Sequence, residues 1–131
     1  MRRMTKLSVL VVDDDASTIE TFVRMLTLEG FDACTATNAR DALAQALAQP
    51  PDAIILDLRM PLVDGLQLLT TLRAHDATRA TPVVIVTGDY FIDESVVAAA
   101  NALGAAVRFK PLWLEDLLAL TYDLLGMAAA G

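Results

Sequence analysis

The sequence predicts a doubly wound α/β fold, with one parallel sheet of five strands and five helices on its two faces. Three observations lead there. Short strand-like segments recur five times, and the first, Val9 to Val12, is a continuous apolar run of the kind buried on both faces of a parallel sheet. Helix-like segments alternate with them across short connections. The chain has 131 residues, 55% hydrophobic and only 5% aromatic, enough for one core built from Ala, Val, Leu and Ile.

The elements follow in order. Val9 to Val12 is stopped by the acids Asp13, Asp14 and Asp15. Ile19, Phe22, Val23 and Leu26 then recur at helical spacing, and Gly30 ends that helix. Ala33 to Thr37 reads as the second strand. Asn38 caps the second helix and Asp41 favours its positive end, with Ala39, Ala42, Leu43, Ala46 and Leu47 as the apolar face. Pro50 and Pro51 stop it. The third strand is Ala53 to Leu56, ending at Asp57, with a helix from about Asp64 to Ala74. Pro82 opens the fourth strand, Val83 to Val86, which ends at Thr87; a helix from about Asp93 to Leu103 follows and stops at Gly104. Ala106 to Phe109 is the fifth strand, ending at Lys110-Pro111, and the last helix runs from about Leu112 to Leu125. Residues 1–131 read as one domain, with a core from about Leu7 to Leu125 and a frayed tail over 126–131.

Composition narrows the function. A net charge of −7 argues against binding nucleic acid or an anionic membrane through bulk electrostatics, and suits a protein that meets a basic patch or a metal ion. One cysteine forbids an internal disulfide and fits a reducing compartment. Cys34 reads as a small buried or half-buried thiol. The apolar start is too short for a signal peptide, and no run approaches the ~20 residues of a spanning helix. A cytoplasmic location is expected.

In a sheet of this kind, ligands bind outside the carboxyl ends of the strands. Those ends carry Asp13, Asp14 and Asp15, then Asp57, Thr87 and Lys110. Clustered carboxylates repel and raise each other's proton affinity, and a hard divalent cation such as Mg²⁺ relieves that. Thr87 offers a hydroxyl donor and Lys110 a point charge for a phosphoryl oxygen. Metal, donors and a carboxylate nucleophile are the parts of a phosphoryl-transfer site. Asp15 directly precedes the first helix and reads as its cap.

From about Leu7 to Leu125 the chain resembles the receiver domains of two-component response regulators. The pieces that carry the resemblance are "VVDDD", "LDLRMPLVDG", "VTG" and "KP", in that order, at the ends of four strands. It implies a flavodoxin-like sheet in the order 2-1-3-4-5. It implies that Asp57 accepts a phosphoryl group from a phosphohistidine of a sensor histidine kinase or histidine phosphotransfer protein. Asp14 and Asp57 would bind Mg²⁺ directly with the backbone carbonyl of Arg59, Asp13 would act mostly through metal-bound water, and Thr87 and Lys110 would hold the phosphoryl oxygens. Pro61 and the Asp64-Gly65 turn would shape the loop that presents Arg59. The domain would catalyse its own phosphorylation and dephosphorylation, with no turnover of an external substrate, and would signal by altered contacts with a protein target.

The sequence departs from the family in one respect that bears on output. Most receivers carry Tyr or Phe three residues before the lysine, coupled to the Thr hydroxyl; Val107 stands there, so either Phe109 on the same strand face substitutes or the aromatic half of the switch is missing, and Leu112 follows "KP" where Phe or Tyr is usual. In the family, the residues two beyond the acceptor Asp and two beyond the Thr tune hydrolysis; Arg59 and Asp89 occupy those positions with opposite charges and are expected to pair. In the last helix, Leu114, Leu117, Leu118 and Leu125 form the stripe expected on the sheet, and Trp113, Leu120 and Leu124 a second stripe. That second stripe is either covered by neighbours or a docking face for a partner or a second copy, through the fourth helix, fifth strand and fifth helix. No Lys, Arg or His follows Lys110, so such a dimer would be hydrophobic.

Other readings are weaker. A haloacid-dehalogenase-type phosphatase would want an acid where Arg59 stands. A flavodoxin-like cofactor binder would need a Gly- or hydroxyl-rich phosphate loop where three acids stand. A degenerate receiver used as a docking module is opposed by the intact Asp14, Asp57, Thr87 and Lys110.

Overall fold

A computed structural model describes residues 6–127 except 61 and 90. Ten elements alternate: β1 (Ser8–Val12), α1 (Ala16–Leu28), β2 (Asp32–Ala36), α2 (Ala39–Ala48), β3 (Ala53–Asp57), α3 (Gly65–Ala74), β4 (Val83–Thr87), α4 (Glu94–Ala102), β5 (Ala106–Phe109) and α5 (Leu114–Leu124). The strands are all parallel, in the order β2-β1-β3-β4-β5. This is the doubly wound sheet the sequence predicts.

Each central strand buries both faces, and residue parity decides which helices it meets. Leu10, Val12, Ile54, Leu56, Val83 and Ile85 pack with the alanines of α2, the leucines of α3 and Ala100 of α4. Val9, Val11, Ile55, Val84 and Val86 pack with Phe22 and Leu26 of α1 and Leu117 and Leu120 of α5. Four small side chains (Ala39, Ala42, Ala46 and Ala100) line the first layer, so α2 and α4 approach the sheet without aromatic spacers. Cys34 is half-buried against that layer, where burial pushes its thiol pKa up.

The fifth helix corrects the expected stripe. Of that stripe Leu117 is buried and Leu118 and Leu125 pack half-buried against the core, but Leu120 and Thr121 are buried and Leu124 half-buried beside them, while Leu114 is 46% exposed and Trp113 71% exposed. Positions 117, 120, 121 and 124 lie on one helical face. Thr121 sits in it because its hydroxyl donates to Leu117 O at 2.7 Å. Leu120 therefore belongs to the core, and a charge there would break packing rather than a docking face.

The helix starts are set by side chains. Asp15, Asn38, Asp64 and Asp93 each accept a backbone N–H in the first turn of the next helix. Asp64 and Gln67 cap reciprocally at α3. Just before that cap, Leu62 has φ 71° and is fully exposed. An L-residue in that region is strained and Leu62 buries nothing in exchange. Leu62→Gly is expected to raise stability by roughly 0.5–1 kcal/mol, the strain relieved outweighing the extra unfolded-state freedom. A lower urea midpoint for the variant would contradict this. Pro61, assigned a part in shaping this loop, and the tail residues 128–131 lie outside the described residues. No described helix is long and apolar enough to cross a membrane.

Candidate phosphorylation site

The carboxyl ends of β1, β3, β4 and β5 meet at one edge of the sheet. Asp13 follows β1 and is fixed there by its backbone N–H to Ala36 O at 3.2 Å. Asp57 is the last residue of β3 and pairs in register with Val86, so Thr87 follows immediately on the neighbouring strand. Lys110 follows β5, its backbone N–H donating to Thr87 O at 2.8 Å, and the Lys110–Pro111 bond is cis. Asp13, Asp57 and Thr87 are buried, Lys110 half-buried and Asp14 exposed.

The electrostatics are those of a crowded anionic pocket. One carboxylate oxygen each of Asp13, Asp14 and Asp57 lies within 4.8 Å of the others. Asp57 has its pKa raised to about 6, first by burial and then by the charge of Asp13; Lys110 and a backbone hydrogen bond from Arg59 pull the other way and do not prevail. Lys110 Nζ donates to Asp13 Oδ2 at 2.8 Å and stands 3.7 Å from Asp57 Oδ1. Burial works against that ammonium, but the hydrogen bond to Asp13 and the charges of Asp57, Asp13 and Asp15 outweigh it, and its pKa is raised. Three anions and one cation leave the pocket net negative.

The strand-end residues Asp13, Asp14, Asp57, Thr87 and Lys110 thus converge. Asp15 does not join them: it caps α1, its carboxylate accepting from Ser17 N–H and from the hydroxyls of Ser17 and Thr18. Arg59 and Asp89 pair as expected, with Arg59 Nε 3.1 Å from Asp89 Oδ2 and Nη2 on the same oxygen. That hydrogen bond holds the Asp89 carboxyl below its ordinary pKa.

Two features have no signature in the sequence. Lys110 is engaged with Asp13, which depends on a rotamer. Thr87 Oγ1 accepts the backbone N–H of Asp89 at 3.1 Å, a contact made by a main-chain donor that every residue but proline carries. A third feature was partly visible in the "DG" pair. Gly65 opens α3 hard against the end of β3, its N–H donating to Leu58 O at 2.9 Å, and a Cβ built there would lie 2.4 Å from Asp57 O. The glycine lets α3 start directly beneath the strand end that carries Asp57.

Known proteins share both sequence and shape. The response regulator receiver domain family matches residues 9–121. The transcriptional regulatory protein PrrA of Mycobacterium tuberculosis is 38% identical over 122 residues, covering 93% of this chain and 51% of PrrA. Response regulator MprA of Mycolicibacterium vanbaalenii is 35% identical over 111 residues, covering 85% of this chain and 47% of that protein. The chain therefore spans about half the length of the curated relatives it matches. Among solved structures, the chemotaxis protein CheY4 of Vibrio cholerae superposes with a TM-score of 0.85 at 29% identity, covering 92% of this chain and all of that one. A response regulator receiver protein from Pseudomonas putida gives 0.84 at 32% identity, covering 92% and 99%. With the strand order, the acidic strand ends and these matches together, the chain belongs to the response regulator receiver domain family of two-component signalling.

Proposed function

We propose that this receiver takes a phosphoryl group onto Asp57 from a phosphohistidine of a sensor histidine kinase or histidine phosphotransfer protein, and signals by altered contacts with a protein target. One observation carries the reading. A nearly buried strand-end carboxylate stands between two other carboxylates and a lysine, beside a buried threonine hydroxyl. A cap or a structural ion pair needs no such grouping. The donor set also fits Mg²⁺: hard carboxylate oxygens, in excess of the cation present, at a solvent-facing edge. Asp14, Asp57 and the carbonyl of Arg59 would hold the ion directly and Asp13 mostly through its water. When bound, it would neutralise the carboxylates and the phosphoryl oxygens they face.

The chain's own residues then divide the work. An Asp57 oxygen attacks phosphorus as the P–N bond to histidine breaks, leaving an aspartyl phosphate and free imidazole. The Thr87 hydroxyl donates to one phosphoryl oxygen. Lys110, already close to Asp57, shifts its charge from Asp13 to another. Residues 1–131 would act as one receiver. The curated relatives include transcriptional regulatory proteins; for these residues themselves we assign no contact with nucleic acid or membrane. Self-association through α4, β5 and α5 would rest on the exposed Phe109, Trp113 and Leu114.

The test is intact mass after incubation with acetyl phosphate and Mg²⁺. A single stable phosphoryl adduct that requires the ion is expected. Sustained release of phosphate would select a phosphatase instead, and no change a docking module.

The Arg59–Asp89 pair bears on the lifetime of that adduct. It spans the mouth where a water must line up behind phosphorus. Ion pairs in contact with solvent are weak, so Arg59→Ala or Asp89→Ala should speed dephosphorylation by a few-fold at most. Unchanged decay of the adduct in both variants would remove the pair from the mechanism.

A further inference from the structure

The sheet is open at two edges, β2 and β5, and an edge strand turns a row of main-chain groups away from its neighbour. Residue parity says which groups these are. In a parallel ladder the N–H and C=O of one residue point to the same side, and those of the next residue to the other. Asp32 N–H donates to Leu7 O at 2.9 Å and Ala36 O accepts the N–H of Asp13 at 3.2 Å, so the even residues of β2 face β1. Ala33 and Thr35 therefore face outward. On β5, Lys110 N–H donates to Thr87 O, so Arg108 shares that side and Val107 turns its carbonyl away from β4.

Each edge has an outward carbonyl already taken by a side chain. Gln45 of α2 reaches round the strand, and its Nε2 donates to Thr35 O at 2.7 Å. Arg108 Nη1 donates to Val107 O at 3.1 Å. A strand added to either edge would set its own N–H nitrogen about 2.9 Å from such a carbonyl, which is where the side-chain nitrogen already stands. We infer that Gln45 and Arg108 close the two edges of the sheet against strand addition by a second copy of this chain.

The edges need such a device because the usual ones are sparse. Edge strands are commonly protected by charge, by proline or by a covering element. After Asp32, β2 holds only Ala33, Cys34, Thr35 and Ala36, with no charge and no proline, and only Ala36 is buried. No residue of β5 is buried, and its one charge is Arg108 itself. A second copy is the occupant to exclude, because it brings the same two edges wherever the protein is concentrated. Joining β2 to β2 is self-complementary and closes as a two-fold pair, whereas joining β2 to β5 does not close and runs on as a filament. Gln45 and Thr35 are both exposed, so their bond adds little to the stability of the fold, and its effect lies in the acceptor it occupies.

The experiment compares wild type, Gln45→Ala, Gln45→Lys and the double variant Gln45→Ala, Arg108→Ala. Each is read by sedimentation over a range of concentrations, by hydrogen exchange of the β2 amides and by thermal unfolding. Gln45→Ala removes the donor, and its mass should rise with concentration to about twice that of wild type, as a closed pair does. The outward amides of Ala33 and Thr35 should exchange more slowly in that pair, and the unfolding midpoint should stay near wild type. Gln45→Lys keeps a donor of similar reach and should sediment as wild type does. The double variant opens both edges and should form assemblies larger than a pair. Wild-type mass for Gln45→Ala at every concentration would overturn the inference. So would association that leaves the β2 amides unprotected, or equal association of the Lys and Ala variants. A lowered midpoint without association would make Gln45 a pin for α2 and overturn it too. A double variant no larger than the single one would overturn the part assigned to Arg108.

Discussion

Metal-free Asp57→Asn protein should be more stable than wild type at pH 7.5, by up to about 3 kcal/mol, since roughly two pKa units separate folded from unfolded Asp57 and each is worth about 1.4 kcal/mol. The sign follows from the direction of the shift. Burial and the neighbouring Asp13 raise the folded pKa from 3.8 to about 6, so the folded state binds the Asp57 proton more tightly than the unfolded chain does. Above about pH 6 the fold carries a carboxylate it disfavours, and the full cost is present. As pH falls from 6 towards 3.8 the cost is relieved, and below 3.8 it is gone. Asparagine keeps the shape without the charge at any pH. Its loss of the 3.7 Å contact with Lys110 matters less, because Lys110 keeps its shorter bond to Asp13. Urea unfolding in chelator at pH 7.5, 6 and 4.5 should show the two proteins converging as pH drops, and Mg²⁺ should narrow the gap at pH 7.5 by stabilising only the wild-type site. An Asn variant equal to or weaker than wild type at pH 7.5 would contradict the account of Asp57 as a strained buried anion.

Gly65→Ala should cost about 3 kcal/mol, at the upper end of what overpacking usually costs. Two effects compete. Alanine favours a helix over glycine by about 1 kcal/mol. Against that, the added Cβ would lie 2.4 Å from Asp57 O and 3.0 Å from Leu58 Cα, backbone atoms of the last residue of a strand buried on both faces and of the buried residue that follows it. Neither can swing aside as a side-chain tip would, so the contact wins and α3 must move off the end of β3. Gly88→Ala is the control, because nothing lies within 4 Å of a Cβ built there, and it should be near neutral. Thermal unfolding of both variants decides it; equal stability of Gly65→Ala and wild type would mean that α3 is not pinned to β3 at this point. The variant that survives should also accept a phosphoryl group more slowly, since the displaced backbone is that of Asp57.

What could be read from the sequence was what burial and charge impose directly. Strands β3 and β4 are buried throughout, so each reads as an unbroken apolar run up to the residue that serves the site. The edge strand β2 is different. It was expected at Ala33 to Thr37 and runs from Asp32 to Ala36, of which only Ala36 is buried, so composition says little about its register. In and beside α5, seven leucines lie from Leu112 to Leu125, and they fit more than one stripe. The deciding residue is Thr121, a polar side chain that enters the core by bonding its own helix. At the site, Asp13, Asp14, Asp57, Thr87 and Lys110 announce themselves as polar side chains at strand ends. The bonds that organise them further, Lys110 to Asp13 and the Asp89 amide to Thr87, depend on a rotamer and a loop conformation that no residue type dictates.

The central claim is that Asp57 is the phosphoryl acceptor. It is tested most directly by locating the group: wild type and Asp57→Asn are incubated with acetyl phosphate and Mg²⁺, cleaved, and the peptides weighed. The account predicts one phosphoryl mass on the wild-type peptide that contains Asp57, absent without Mg²⁺ and absent in Asp57→Asn. Labelling of the Asn variant to the wild-type level, or a phosphoryl group on a peptide without Asp57, would contradict it.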